Sequence, residues 1–130
     1  MDAIIEKLRE HRNDHGPHGN EHNFFYRGWE RDCIGLYDSI RCYNDLKQFI
    51  LDERTNTKIF TIATIFPLIA GLLTEQQRTE LVPILQESLS DNRMCEISYG
   101  RTNADDEDNS TVSESARFAL NLLEKLATFH

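Results

Sequence analysis

Four histidines, spaced four, three and four residues apart, are the residues whose type and spacing most directly suggest chemistry. They are His11, His15, His18 and His22, with Glu10, Asp14 and Glu21 beside them. Imidazoles and carboxylates together are common ligands of zinc and other transition metals. On one continuous helix the four imidazoles would share a face, but Gly16, Pro17 and Gly19 interrupt any such helix. The spacing therefore favours a polar loop, and a metal site made by the four histidines remains an alternative.

The cysteines offer little for nucleophilic catalysis. A nucleophile needs a base beside it, and no histidine lies between His22 and His130. Cys33 and Cys42 fall in an apolar, aromatic pattern typical of packed thiols, so we expect only Cys95 to be exposed. Walker, dinucleotide-binding and HExxH motifs are absent from the sequence. We therefore expect a protein that is not an enzyme and that carries no cofactor.

Charge is concentrated in the second half of the chain. The net charge is −8, and residues 74–130 contribute −6 of it, with five basic against eleven acidic side chains. Such a field repels phosphate backbones and anionic lipid but attracts a basic protein. We expect a protein partner, with no direct binding to nucleic acid or membrane.

An odd set of three cysteines without CxxC spacing, together with a charged N-terminus, predicts a cytoplasmic protein.

Three prolines and six glycines leave long stretches without helix breakers, which predicts an all-α fold. Length and composition indicate a single domain, 1–130, built as a compact bundle of about five or six helices. Apolar periodicity places helices at about 2–12, 22–51, 58–73, 74–90 and 111–128. Residues 1–20 form a peripheral helix followed by the loop rich in histidine and glycine.

The central helix and two helix starts carry further signals. Residues 58–73 are apolar nearly all round, too short to cross a bilayer, and are expected to form a buried helix kinked or divided at Pro67. Thr74 with Gln77 and Thr111 with Glu114 have the spacing of capping boxes.

Residues 93–109 lack helical periodicity and are predicted to form an exposed acidic loop. Long loops of this kind often carry function. The expected partner-binding residues are six acids in or next to this loop: Asp91, Glu96, Asp105, Asp106, Glu107 and Asp108.

Residues 81–126 resemble a HEAT-type α-helical repeat. The first helix carries a proline near its start, at Pro83, and ends at the turn containing Asp91; the second opens with Val112 and continues through Ala116 and Leu123. The turn within such a repeat is normally a few residues long, whereas about twenty residues intervene here. The resemblance implies stacked helical hairpins and a role in protein binding, and it assigns no functional residues.

Three functions remain open from the sequence. The leading hypothesis is an acidic inhibitor or immunity-type protein that neutralises a basic toxin or nuclease. The second is a general helical adaptor or regulatory interaction domain. The third is a metal-binding protein or metalloenzyme that uses the histidines.

Overall fold

A computed structural model of the chain describes residues 2–15, 33, 35–94 and 111–128, and these ranges form six helices. Their bounds are α1 (Asp2–His15), α2 (Leu36–Ser39), α3 (Tyr43–Ile50), α4 (Thr55–Leu72), α5 (Glu75–Ser88) and α6 (Val112–Thr128). Within these ranges no strand is present, and the predicted all-α class is confirmed.

Helix α4 lies at the centre and contacts α1, α3 and α6. Among the described residues it carries half of the largest fully buried side chains, including Phe60, Ile62, Phe66 and Ile69, each 0% exposed. Helices α5 and α6 pack against each other, and Ser113 Oγ at the start of α6 donates a hydrogen bond to the Leu89 carbonyl just after α5 (2.7 Å). The pair is therefore an antiparallel hairpin.

The hydrogen-bond pattern of α4 changes directly before Pro67. Residues Thr55–Phe60 are α-helical, Thr61–Ile65 form a π-helical turn, and Phe66–Ile69 are α-helical again. Proline has no N–H to donate to the preceding turn, and a π turn is one way in which a helix absorbs such a defect. The proline alters the helix as the sequence predicts, but helical structure continues from Thr55 to Leu72.

By length and composition, α4 also qualifies as a membrane-spanning candidate, with 18 residues and mean hydropathy 1.3. Of these residues, 56% are buried within the protein, and core helices commonly pass the same test.

The predicted continuous helix over 22–51 is wrong in its described part. Ile40 (φ −93°, ψ 111°) and Cys42 (φ −155°, ψ 174°) are extended and separate α2 from α3. The backbone N–H of Arg41 donates to Asp45 Oδ2 (3.0 Å), a side-chain bond that replaces a helical one. The predicted apolar residues are still buried, because both short helices place them in the core, as Leu36, Leu46 and Ile50 show.

Candidate functional site

Two loops, one after α3 and one after α5, carry the same pattern of an aspartate followed two residues later by an arginine. In the first loop, Asp52 Oδ1 accepts the backbone N–H of Arg54 (2.8 Å) and its Nε–H (3.0 Å). Asp52 Oδ2 accepts Arg54 Nη2–H (2.8 Å). A two-oxygen pairing of carboxylate with guanidinium is the strongest form of this contact, and it lowers the pKa of Asp52.

The second loop repeats this geometry with Asp91 and Arg93. Asp91 Oδ1 accepts the backbone N–H (3.1 Å) and the Nε–H (3.0 Å) of Arg93, and Oδ2 accepts Nη2–H (2.7 Å). The hydrogen bonds from Arg93 lower the pKa of Asp91 below its ordinary value. The carboxylate of Asp91, one of the predicted partner-binding residues, is thus paired within its own loop. Its part in partner binding stays a prediction.

A buried lysine and one bridging hydrogen bond join the two loops. Arg93 Nη1–H donates to the Glu53 carbonyl in the other loop (3.1 Å). Lys58, on α4 and 8% exposed, donates from Nζ to the Ile50 carbonyl at the end of α3 (2.5 Å). Burial lowers the pKa of Lys58, and the charges of Asp91 and Asp52 act against that shift. The lysine therefore ties the end of α3 to α4, within electrostatic range of both loop aspartates.

The same region anchors both ends of residues 95–110. Met94 and Thr111 form an isolated antiparallel bridge, and Val112 N–H donates to the Arg93 carbonyl (3.0 Å). Ser113 N–H donates to the Asp91 carbonyl (2.8 Å), so the start of α6 is fastened to the Asp91 loop. Glu96, Asp105, Asp106, Glu107 and Asp108, the other predicted partner-binding residues, lie outside the described residues.

Two exposed apolar side chains flank the paired loops. Leu51 is 50% exposed and Met94 47% exposed. We call the surface formed by the two loops and these two side chains the clasp surface. Its residues are Leu51, Asp52, Glu53, Arg54, Asp91, Arg93 and Met94. Each Asp–Arg pair is formally neutral, so net charge here comes from Glu53 and from the chain between 94 and 111.

The structure describes only part of the histidine cluster. His11 lies on α1 with its ring centroid 5.5 Å from that of Tyr37, and His15 is the last residue of α1. His18 and His22 lie outside the described residues. Across residues 2–15, 33, 35–94 and 111–128, no three His, Cys, Asp or Glu side chains lie close enough together to hold a metal. The described helix reaches His15, three residues beyond the end that the sequence predicts.

Sequence reasoning missed three features of this part of the molecule. One is the burial of Lys58, and another is the repeated Asp-x-Arg pattern, which is visible in the sequence as Asp52-Glu53-Arg54 and Asp91-Asn92-Arg93. The third is a contact between α3 and α5, where the Tyr43 hydroxyl donates to Glu80 and the ammonium of Lys47 lies 3.4 Å from Glu80 Oε2.

Comparison of the chain with protein-family models, curated proteins and solved structures finds no match. The resemblance to a HEAT-type repeat therefore stays a prediction, now joined to an observed α5–α6 hairpin.

Proposed function

We propose that this protein is an acidic helical binding module that neutralises a basic protein partner, with a toxin or nuclease as the leading class. The observation that carries the proposal is the bridge between Met94 and Thr111. It brings both ends of a segment with five acidic residues and one basic residue to the clasp surface. A net charge of −4 is thus attached at one place on a helical frame.

The charge would act mainly on the rate of association. Clustered charges of one sign steer an oppositely charged protein toward the surface and raise the association rate constant well above the range for unsteered encounters. The rest of the chain is also acidic overall, so the whole field favours a basic partner and disfavours other acidic proteins.

Apolar contact would then hold the complex. Protein interfaces combine a desolvated apolar centre with a polar, charged rim. Leu51 and Met94 are exposed on the clasp surface, Met94 directly before the acidic segment, and would supply such a centre. The two Asp–Arg pairs keep the loops that carry these side chains in one arrangement, which lowers the entropy lost on binding.

The test compares three versions of the whole chain as bait in the cells that produce it. The first is wild type, and the second changes Asp105, Asp106 and Asp108 to Asn and Glu107 to Gln. The third is a control with the same net charge, in which Glu6, Glu10, Glu75 and Glu124, all exposed, become Gln. We expect wild type and the control to capture one basic protein stoichiometrically and the loop variant to lose it.

The captured protein then decides between inhibition and scaffolding. Its expression alone should arrest growth, or its purified form should cut nucleic acid, and co-expression of wild type should remove that effect while the loop variant does not. A captured partner of ordinary charge, equally bound by all three versions, would replace the proposal with a general adaptor role.

A further inference from the structure

A small basic cleft lies between α1 and the extended connection from α2 to α3. Its volume is about 140 Å³, and it is lined by Ile5, Arg9, Tyr37, Asp38, Ile40 and Arg41. Tyr37 and Ile40 are buried at 3% and 1% exposure, whereas both arginines are exposed. The cleft therefore has a floor of buried side chains and a charged rim.

The rim carries more positive charge than its carboxylate can balance. Arg12 Nε lies 3.6 Å from Asp38 Oδ2, so Asp38 already has a counter-ion. Arg41 uses Nε–H for the Asp38 carbonyl (3.4 Å), and neither Arg41 nor Arg9 forms an ion pair with a carboxylate in the described part of the chain. Asp45 Oδ2 accepts the Arg41 backbone N–H (3.0 Å). Among the described residues, three arginines against these two aspartates leave a local charge of +1 on a protein whose net charge is −8.

This cleft is separate from the clasp surface. Arg41 precedes α3 and Asp52 follows it, and the eight residues of that helix place the two sites roughly 12 Å apart along its axis. A ligand of the cleft is therefore a second one, of opposite charge to the basic partner proposed above.

Size and charge together define the ligand. Pockets for drug-sized molecules occupy about 300–1,000 Å³, so this cleft admits one chemical group. Arginine pairs phosphate and carboxylate through two parallel hydrogen bonds. Two arginines line the cleft, and a phosphoryl group has enough oxygens to pair with both, whereas the two oxygens of a carboxylate are satisfied by one. We propose that the Arg9–Arg41 cleft binds a phosphoryl dianion, either as free phosphate or as the phosphate of a small organic monoester.

The test is a titration of the whole isotope-labelled chain followed by NMR, at pH 7.5 with ionic strength held constant by sodium chloride. Inorganic phosphate, phenyl phosphate and acetate are the three probes. We expect saturable shifts at Arg9 and Arg41 with inorganic phosphate and at least tenfold weaker binding of acetate. If phenyl phosphate binds more tightly than inorganic phosphate, the ligand is a phosphate monoester. If phenyl phosphate binds equally or more weakly, the ligand is the free phosphate ion.

Variants separate a built site from general charge attraction. Arg9→Gln and Arg41→Gln should each weaken phosphate binding at least tenfold, while Arg41→Lys, which keeps the charge but loses the paired donors, should weaken it less. Arg117→Gln, which removes an exposed arginine on α6, is the matched control and should change binding less than twofold. Absence of saturable shifts, equal binding of acetate, or the same loss in Arg117→Gln would overturn the proposal. None of these results bears on the clasp surface.

Discussion

Replacing Asp91 tests whether its pairing with Arg93 stabilises the clasp surface. Asparagine keeps one oxygen, which can still accept the Arg93 backbone N–H that Asp91 Oδ1 accepts at 3.1 Å. It loses the charge and the second oxygen, which accepts Arg93 Nη2–H at 2.7 Å. Alanine loses all of these contacts and leaves the loop N–H without its acceptor.

The expected magnitude follows from the exposure of the pair. The side chains of Arg93 and Asp91 are 51% and 21% exposed, so solvent screens the contact and the ion pair contributes about 0.2–1 kcal/mol. Lys58 also lowers the pKa of Asp91 and so adds to the stabilisation of its charged form. We therefore expect Asp91→Asn to lose unfolding free energy at the upper end of this range, about 1 kcal/mol. Losing the N–H acceptor adds about 0.5–1.5 kcal/mol, so Asp91→Ala should cost about 2 kcal/mol.

The assay is urea unfolding at pH 7 and at steps down to pH 2. Because Arg93 lowers the pKa of Asp91, this stabilisation is complete above the ordinary aspartate value near 4 and is lost as pH falls through the lower, folded-state value. The gap between wild type and Asp91→Asn should therefore close in acid.

Asp38→Asn is the matched control. The Asp38 side chain is 59% exposed and, within the described part of the chain, makes a single ion-pair contact, at 3.6 Å, so its replacement should cost less than about 0.5 kcal/mol. Equal stability of wild type and Asp91→Asn at pH 7, or a gap that persists unchanged in acid, would refute the reasoning.

Three further predictions concern other parts of the chain. Thr74→Ala should cost about 1 kcal/mol in thermal unfolding, because Thr74 Oγ1 caps α5 by accepting the Gln77 N–H (3.1 Å); an unchanged melting temperature would contradict it. Burial and the contact with Glu80 raise the pKa of Tyr43 above its usual range, so ultraviolet titration should show a late-ionising tyrosine signal that Tyr43→Phe removes. Replacing His15 and His18 by Ala should leave the melting temperature unchanged with and without chelator. One equivalent of zinc in the purified protein, with a lower melting temperature after chelation, would contradict this.

Local signals predicted the helices well where the cause of a helix end is itself local. Thr74 and Gln77 form the predicted capping box, with the Thr74 N–H donating to Gln77 Oε1 (3.0 Å). Thr111 and Glu114 form the second box. Such signals work because the donor and acceptor lie three residues apart, so no tertiary structure is needed to bring them together.

Tertiary contacts account for what the sequence could not predict. The break at Ile40–Cys42 contains no proline or glycine and lies in an apolar stripe that continues across it. Periodicity alone therefore predicts one continuous helix where the structure has two, α2 and α3. The buried Lys58 interacts with charges from two loops, one of them about 33 residues away at Asp91. The sequence around a lysine in an apolar helix does not tell whether its ammonium is buried or reaches solvent.

The candidate site was predicted in part. The acidic segment and its charge are visible in the sequence, but the pairing of Met94 with Thr111 is not, because the two residues are 17 positions apart with no repeated pattern between them. The arginine cleft was missed because Arg9 and Arg41 belong to different elements and neither forms part of a motif.

The association rate constant with the captured partner, measured against sodium chloride concentration, tests the proposed function most directly. The Debye length falls from about 30 Å at 0.01 M salt to about 3 Å at 1 M, so steering by the acidic segment should be lost over this range. Four rim charges at about 0.3 kcal/mol each add to about 1.2 kcal/mol, close to a tenfold change in rate.

We therefore predict that the variant with Asp105, Asp106, Glu107 and Asp108 neutralised associates about tenfold more slowly than wild type at 0.01 M salt and equally fast at 1 M. The control lacking the charges of Glu6, Glu10, Glu75 and Glu124 should follow the wild-type curve closely. Coincident curves for wild type and the loop variant would contradict the account, since the acidic segment would then play no part in recognition.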